Sequence, residues 1–445
     1  MARLKIVMIG GGSVAWVPNV MKDIMLTDGL TEAEYVLYDI NKKAAQTCKQ
    51  FLEKLATQLN IRPSIVATDN QAIAFKNAHY FVITISTGGL NSMSHDLAIP
   101  EQYGIYHTVG DTSGPGGWAR TMRNFEVFKK LAEAINHYAP GAAVLNYSNP
   151  MITMTDVLSR ICTGPVIGLC HGLFENLAFI KRLYGLKDEN EISALYAGLN
   201  HFFWILKARI KNVDIIQDLK KRLNSSSITN LLKDAYSDAM GFSSKREVAD
   251  ELFRITGVMP YLGDRHTCEY FQTYITSKQN MKKYRIIRTS IDERKKMFRD
   301  NQNKLNEMIK GTIPKEYLSR SRETAADIIS AHYYGRAFTD VGNMPNCGQI
   351  KNLPAGAVVE TPVRIDRTGF SPISCGSLPP VIEAFILPWT KVFAMTTDAC
   401  FNRSKHQAIQ ALRLDPVCGH LTSAQVKEMG GRMLAAHKQY TGFLK

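Results

Sequence analysis

Residues 166–175 read VIGLCHGLFE, which sets Cys170 and His171 side by side just after a short apolar run. A thiol in that place has four chemical readings: buried filler, nucleophile, half of a disulfide, or metal ligand. Two other stretches gather reactive side chains. His201 lies in GLNHFFW, and Asp264, Arg265 and His266 follow one another in GVMPYLGDRH. Taken alone, a histidine flanked by aromatics reads as a core residue, and a loop aspartate beside an arginine reads as an ion pair. Asp111 in GDTSGPGG and Asn149 in NYSNP have glycine and proline neighbours, where such residues commonly serve turns. The choice among these readings depends on the elements that carry them.

The N-terminal third has the form of a dinucleotide-binding unit. LKIVMIGGGSVAWVPNVMKDI is an apolar run, then Gly10, Gly11 and Gly12, then a helical pattern. Gly10, Gly12 and Ala15 fit the G-x-G-x-x-G/A form: a tight turn, close approach of backbone N–H groups to a pyrophosphate, and a small residue for helix–strand packing. A second strand, AEYVLYDI, ends in Asp39 at the separation from which a carboxylate reaches the ribose hydroxyls of NAD and repels the extra phosphate of NADP. The competing role for Asp39 is a strand-end cap or surface charge. AHYFVITIS is a buried strand ending at Thr87-Gly88-Gly89, where the adenosine and ribose would lie. GAAVLNYSNP is another, ending at Asn149-Pro150, and PVIGLCHG a further one. Cys170 and His171 therefore sit at the carboxyl edge of the sheet, where ligands of open α/β sheets bind.

Beyond this unit the pattern is less regular. ADELFRITGVMPYLGDRHTCEYF reads as a helix and then a loop holding Asp264, Arg265 and His266. MPNCGQIKNLPAGAVVETPVRID reads as turn-rich sequence and then a strand. GSLPPVIEAFILPWTKVFAMTTDACF reads as two helical stretches joined at a proline. The expected architecture is α/β: a Rossmann-type doubly wound sheet, lactate/malate dehydrogenase-like, over 1–195, with a C-terminal α+β domain over 196–445.

Composition bounds the rest. The 445 residues, 45% hydrophobic and 21% charged, are those of a globular protein with more than one ordinary core. The net charge of +14 fits either an anionic partner or a lysine-rich solvated surface. No zinc-finger spacing and no basic repeat with interleaved aromatics favours nucleic acid. No apolar stretch is long enough to span a bilayer, and MARLKIVMIGGG reads as a first strand rather than a targeting segment. Eight scattered cysteines suit free thiols in the cytoplasm, which leaves a disulfide for Cys170 disfavoured.

Together these motifs resemble glycoside hydrolase family 4, the NAD-dependent glycosidases. The resemblance runs nearly end to end: GGGS, GDTSGPGG, NYSNPM, GLCHG, GLNHFFW, GVMPYLGDRH, SRE at Ser321 to Glu323, and NMPNCGQIKNLPAGAVVE from Asn343. It implies a redox detour to hydrolysis, an exception to the two-carboxylate scheme. Hydride leaves C3 of the sugar, a base takes the C2 proton, the C1–O bond breaks by elimination, water adds, and C3 is reduced again. No net oxidation results.

By this resemblance NAD is held by Gly10, Gly12, Ser13, Asp39, Thr87 and Gly88, and Cys170 and His201 ligate a divalent metal, usually manganese. Ligand softness alone would favour zinc or iron for a thiolate. Asp264 is implied as the C2 base, with Tyr261 and Tyr270 close in sequence as tyrosine alternatives. His171 stands where the phospho-α-glucosidase branch has an aspartate, and is implied as the acid for the leaving oxygen; a metal-shell or substrate hydrogen bond is the other role. Asp111, Asn149, Arg265 and His266 are implied as substrate-binding.

The Cys-His-Gly sequence resembles the branches acting on unphosphorylated α-glycosides. With GDRH and NMPNCGQ it looks most like the α-galacturonidases, and an arginine fork suits a uronate carboxylate. The same wording is seen in α-glucosidases, α-glucuronidases and α-galactosidases. Partners are expected to be a small α-glycoside or oligosaccharide and a second copy, as dimer or tetramer, without nucleic acid or membrane. Two rival classes are a hydroxy-acid dehydrogenase using NAD, which would accumulate NADH, and a non-catalytic NAD-binding sensor.

Overall fold

The computed structural model describes residues 3–231, 236–237 and 243–445. Six short strands form its parallel half: β1 (Lys5–Ile9), β2 (Glu34–Tyr38), β3 (Ser64–Thr68), β4 (Tyr80–Ile83), β5 (Ala143–Asn146) and β6 (Val166–Gly168). Their order is β3-β2-β1-β4-β5-β6, the doubly wound arrangement. Alternate residues of β1 serve different cores. Val7 and Ile9 face the cluster that includes Trp118, Met122 and Phe125 of the helix Gly114–Tyr138. Ile6 and Met8 face the cluster holding Phe51, Leu52 and Leu55 of the helix Lys42–Leu59. This two-residue alternation, covered on both sides by helices, is why the strand is apolar throughout.

The sheet continues past β6 through antiparallel strands: β7 (Ser193–Leu199), β8 (Phe202–Ile210), β9 (Met259–Pro260), β10 (Phe338–Pro345) and β11 (Val358–Asp366). Their order onward from β6 is β10-β11-β7-β8-β9. The β10–β11 hairpin is joined to β6 at Asn343 opposite Gly168, and to β7 at Glu360 opposite Gly198. One mixed sheet thus carries the whole fold, with the α+β part of the chain extending the Rossmann half.

Four local expectations change. The segment after the glycines begins as a π-helical turn, Val17–Met21, before the α-helical Lys22–Met25. Pro18 in its first turn brings no N–H to an α-helical pattern. Ala15 is exposed rather than packed on a strand. Close packing falls to Gly11 instead, where a Cβ would stand 2.6 Å from Leu37 Cα. Pro380–Phe401 is one continuous helix through Pro388. Pro388 and Ala384 are both exposed, so the carbonyl that loses its donor faces water. The expected loop around Asp264 is also helical, as the single turn Asp264–Thr267.

Candidate active site

Cys170 lies two residues past the end of β6, and His171 occupies the position just before the helix Gly172–Tyr184. His201 comes from far along the chain, in the Asn200-His201 turn that joins β7 to β8 where Leu199 pairs with Phe202. A two-residue hairpin turn demands left-handed backbone, and His201 adopts it with φ of 59°. The turn brings His201 Nε2 to 3.0 Å from Cys170 Sγ. Thr112 Oγ1 lies 3.3 Å from the other ring nitrogen. Burial, with His266 adjacent, pushes the His201 pKa well below the ordinary histidine value. Burial also lifts the Cys170 thiol to about 12, with Glu360 contributing. The resting pair is therefore a thiol hydrogen-bonded to a neutral imidazole, and a cation held between them would expel the thiol proton. Beneath the pair, buried Glu360 accepts from Asn200 Nδ2 at 3.1 Å and from Asn343 Nδ2 at 2.9 Å.

Asp111 stands next to this pair. Against the desolvation that burial imposes, Arg120, His266, Arg294 and His201 hold its carboxyl down, at about 2. Asn149 Nδ2 lies 3.5 Å from Asp111 Oδ2, and Arg120 donates to the Asn149 carbonyl at 3.0 Å. The Asn149–Pro150 peptide is cis. His266 stacks on His201 with ring centroids 3.8 Å apart, and Tyr261 stacks near the same ring at 5.8 Å. Arg265 is buried, and its carbonyl accepts from the Thr108 hydroxyl. Asp111, Asn149, His201 and His266 thus converge.

His171 lies to one side. Its Nε2 meets Glu323 Oε1 at 2.6 Å. Burial works against its charge, yet the Glu323 carboxylate raises its pKa above the ordinary value, so a protonated donor is held ready. Its ring stacks against Trp16 at 6.0 Å, which ties it to the glycine loop. Glu323 had a sequence signal only as part of SRE, and Arg294 had none.

Asp264 is placed differently. Its oxygens accept from the amides of Val248 and Ala249, at 3.1 and 3.0 Å, at the start of the helix Glu247–Thr256. Burial raises its pKa to about 7. Of the two tyrosines, Tyr270 is engaged elsewhere, its hydroxyl donating to the Asn200 carbonyl at 2.6 Å.

The nucleotide side is a glycine cradle. Gly10 has φ of 95°, and its N–H and that of Gly11 both donate to the Tyr38 carbonyl at 3.0 Å. A Cβ on Gly12 would meet Ala44 Cβ at 2.6 Å. Asp39 accepts from Gly12 N at 2.9 Å and from Asn41 N at 2.8 Å, so the carboxylate braces the loop. Ser13 Oγ accepts from Trp16 N at 3.3 Å. Gly88 is left-handed, and the buried Thr87 hydroxyl beside it has no hydrogen-bond partner among the described residues. An orphan buried polar atom at a strand end is what a bound polar ligand would satisfy. Among the described residues no three His, Cys, Asp or Glu side chains converge at metal-ligating spacing. An ion at Cys170 and His201 would have two protein donors, its other positions open to substrate and water.

Fold and site define an α/β protein of Rossmann type that carries a glycine loop and a thiol–imidazole pair at the carboxyl edge of the sheet. Residues 5–185 match the family 4 glycosyl hydrolases and residues 196–418 match that family's C-terminal domain. The chain belongs to this family, which sets aside the hydroxy-acid dehydrogenase reading. An α-galacturonidase of Thermoanaerobacter italicus is 31% identical over 452 residues, covering 98% of this chain and 97% of its own. An α-galactosidase of Bacillus subtilis is 30% identical, with 97% and 98% covered. The 6-phospho-β-glucosidase of Thermotoga maritima, solved with manganese, NAD+ and glucose-6-phosphate, superposes with a TM-score of 0.79 at 21% identity, covering 98% and 99%. No helix among the described residues is long and apolar enough to cross a membrane.

Proposed function

We propose that this glycosidase hydrolyses unphosphorylated α-glycosides, α-galacturonides above all, by a redox-neutral route that uses NAD+ and a divalent ion such as Mn2+. The observation that carries the reading is the 3.0 Å approach of Cys170 Sγ to His201 Nε2 beside Asp111. When bound, the nicotinamide supplies a reversible hydride acceptor and the ion a Lewis acid for the sugar's C2 and C3 oxygens. Gly10, Gly12, Ser13, Asp39, Thr87 and Gly88 are the residues to hold the nucleotide. Cys170, as thiolate, and His201 are those to hold the ion.

The chain's own groups do the proton work. His171, kept protonated by Glu323, donates to the departing glycosidic oxygen. Asp264, with its carboxyl near neutrality, takes the C2 proton; a base matched to the operating pH needs no greater strength once the neighbouring carbon is oxidised. Asp111, Asn149 and His266 orient the sugar hydroxyls. Arg120 and Arg294, gathered about Asp111, with Arg265 beside Arg294, supply the positive field that suits a uronate. An uncharged α-galactoside is the second reading, supported by the 30% identity to an α-galactosidase.

A panel of p-nitrophenyl α-galacturonide, glucuronide, galactoside and glucoside, with NAD+, Mn2+ and reductant, tests the proposal. Galacturonide hydrolysis without net NADH, with solvent deuterium appearing at C2, is expected. Asp264→Asn should abolish that exchange while Tyr261→Phe retains it; the opposite result moves the base to Tyr261. Undiminished hydrolysis after removal of all NAD overturns the route.

A further inference from the structure

Buried Glu269 receives an unusual concentration of donors. Its Oε1 accepts from three consecutive amides, Thr108 N at 2.7 Å, Val109 N at 2.8 Å and Gly110 N at 2.9 Å. The Thr108 hydroxyl, whose one proton is shared with the Arg265 carbonyl, lies 2.9 Å from the same oxygen, and Gly110 N reaches Oε2 at 3.1 Å. His107 Nδ1 lies 3.2 Å away; because its Nε2 accepts from Gly116 N at 3.1 Å, Nδ1 is the nitrogen that donates. Consecutive N–H groups curled about one point form an anion-binding concavity. Here the anion is the protein's own carboxylate, from a segment 162 residues away in sequence.

What the concavity positions matters more than its strength. The next residue is Asp111, and the one after, Thr112, lies 3.3 Å from His201 Nδ1. Gly110 can make the turn because it is glycine, with φ of 71°. Glu269 itself closes the turn that presents Arg265 and His266, and its carbonyl accepts from Ser113 Oγ at 3.1 Å. Two segments that are distant in sequence but meet at the site are therefore pinned to each other through one carboxylate. The loop's carbonyls are held from the other side, by Arg288 on His107, Arg294 on Val109 and Thr289 N on Thr108, each at 3.0 Å.

We propose that Glu269 is a positioning residue for the glycosidase reaction: by gathering the amides of residues 108–110 it sets Asp111 and Thr112 against His201 and His266. It touches no reacting atom. The inference rests on the functional reading above, for its substrate readout through the sugar and for its metal readout through the ion assigned to Cys170 and His201.

The test compares Glu269→Gln and Thr108→Val with the full-length wild type. Glutamine keeps the size but removes the charge and points an NH2 at amides; valine removes a single donor. In Glu269→Gln, kcat/KM should fall about 100-fold, chiefly through KM, with NAD+ affinity within about twofold of wild type. Its Mn2+ affinity, read by electron paramagnetic resonance, should weaken about 10-fold, since Thr112 no longer orients His201. Thr108→Val should shift KM in the same sense by about threefold, the loss of one donor that the carboxylate shares with the Arg265 carbonyl. A folded Glu269→Gln with wild-type KM and Mn2+ affinity overturns the proposal. So does loss of NAD+ affinity in step with activity, the mark of a merely structural role. If Glu269→Gln does not fold, wild-type KM in Thr108→Val overturns it. If the wild type binds Mn2+ but hydrolyses none of the panel, the sugar assignment has failed and the Mn2+ affinities decide the role of Glu269; if it binds no Mn2+ either, the proposal falls with the functional reading.

Discussion

Cys170 and His201 are each ordinary until they meet. The thiol lies just past a parallel strand, and the imidazole turns a hairpin in the antiparallel half of the sheet. The placement of Cys170 was legible, because a cysteine just past a buried strand points to the ligand edge of the sheet. His201 was not legible from its neighbours: aromatics on one side of a histidine describe a core as well as a metal site. Cys170→Ser and His201→Ala should each reduce glycosidase activity to background while leaving NAD+ affinity, measured by fluorescence quenching, close to wild type; an active variant sinks the metal assignment. Glu323 and Glu269 were illegible as partners for the same reason, since a carboxylate bound to a distant loop leaves no local pattern. His171 permits a sharper test. If it is the acid, His171→Asn should slow aryl glycosides with poor leaving groups by about 100-fold and spare those with good ones. A uniform loss across leaving groups would mean it only orients the sugar.

At the scale of elements, the glycine loop shows how tightly two pieces are fitted. Gly12 has no room for a methyl group because Ala44, in the first turn of the helix Lys42–Leu59, stands in the way. Gly12→Ala should therefore displace the loop and weaken NAD+ binding by about 10-fold or more, an overpacking cost of about 1–3 kcal/mol. Gly12→Ala combined with Ala44→Gly should recover most of the loss, and titration of NAD+ against the three proteins checks it. No recovery would show that the Asp39 carboxylate and Ala45 N, 3.0 and 3.2 Å from the added Cβ, dominate the clash. The strands of the Rossmann half were legible as apolar runs closed by Gly, Asp or Asn, because burial on both faces leaves so plain a signature. The elements misread were those in which a local rule met a tertiary exception. Pro388 usually marks a break, but facing water it costs the helix little. Ala15 matched a fingerprint whose packing task Gly11 performs instead.

For the whole molecule, burial of acids carries a consequence for stability. Asp264, Glu360 and Asp415 are each pushed up to about 7 by burial. The fold favours their protonated forms, whereas the unfolded chain releases those protons near pH 4. The stability they contribute is full below about pH 4 and is lost as pH rises through about 7. Asp415→Asn removes one such group while Asn can still accept from Val417 N. It should be more stable than wild type at pH 8, by on the order of 1–3 kcal/mol, with a shallower fall in Tm between pH 5 and pH 8. An unchanged slope would mean that Asp415 is ionised in the native state.

The two seams of the β10–β11 hairpin flank the reactive pair. Asn343 sits opposite Gly168, two residues before the thiol, and Glu360 sits opposite Gly198, three residues before the imidazole. The ribbon between them works as a gauge block, its width deciding how far apart sulfur and nitrogen stand. A slip of one residue would turn both polar side chains to the opposite face, so single insertions there should be tolerated by neither ion nor sugar, however sound the nucleotide half remains.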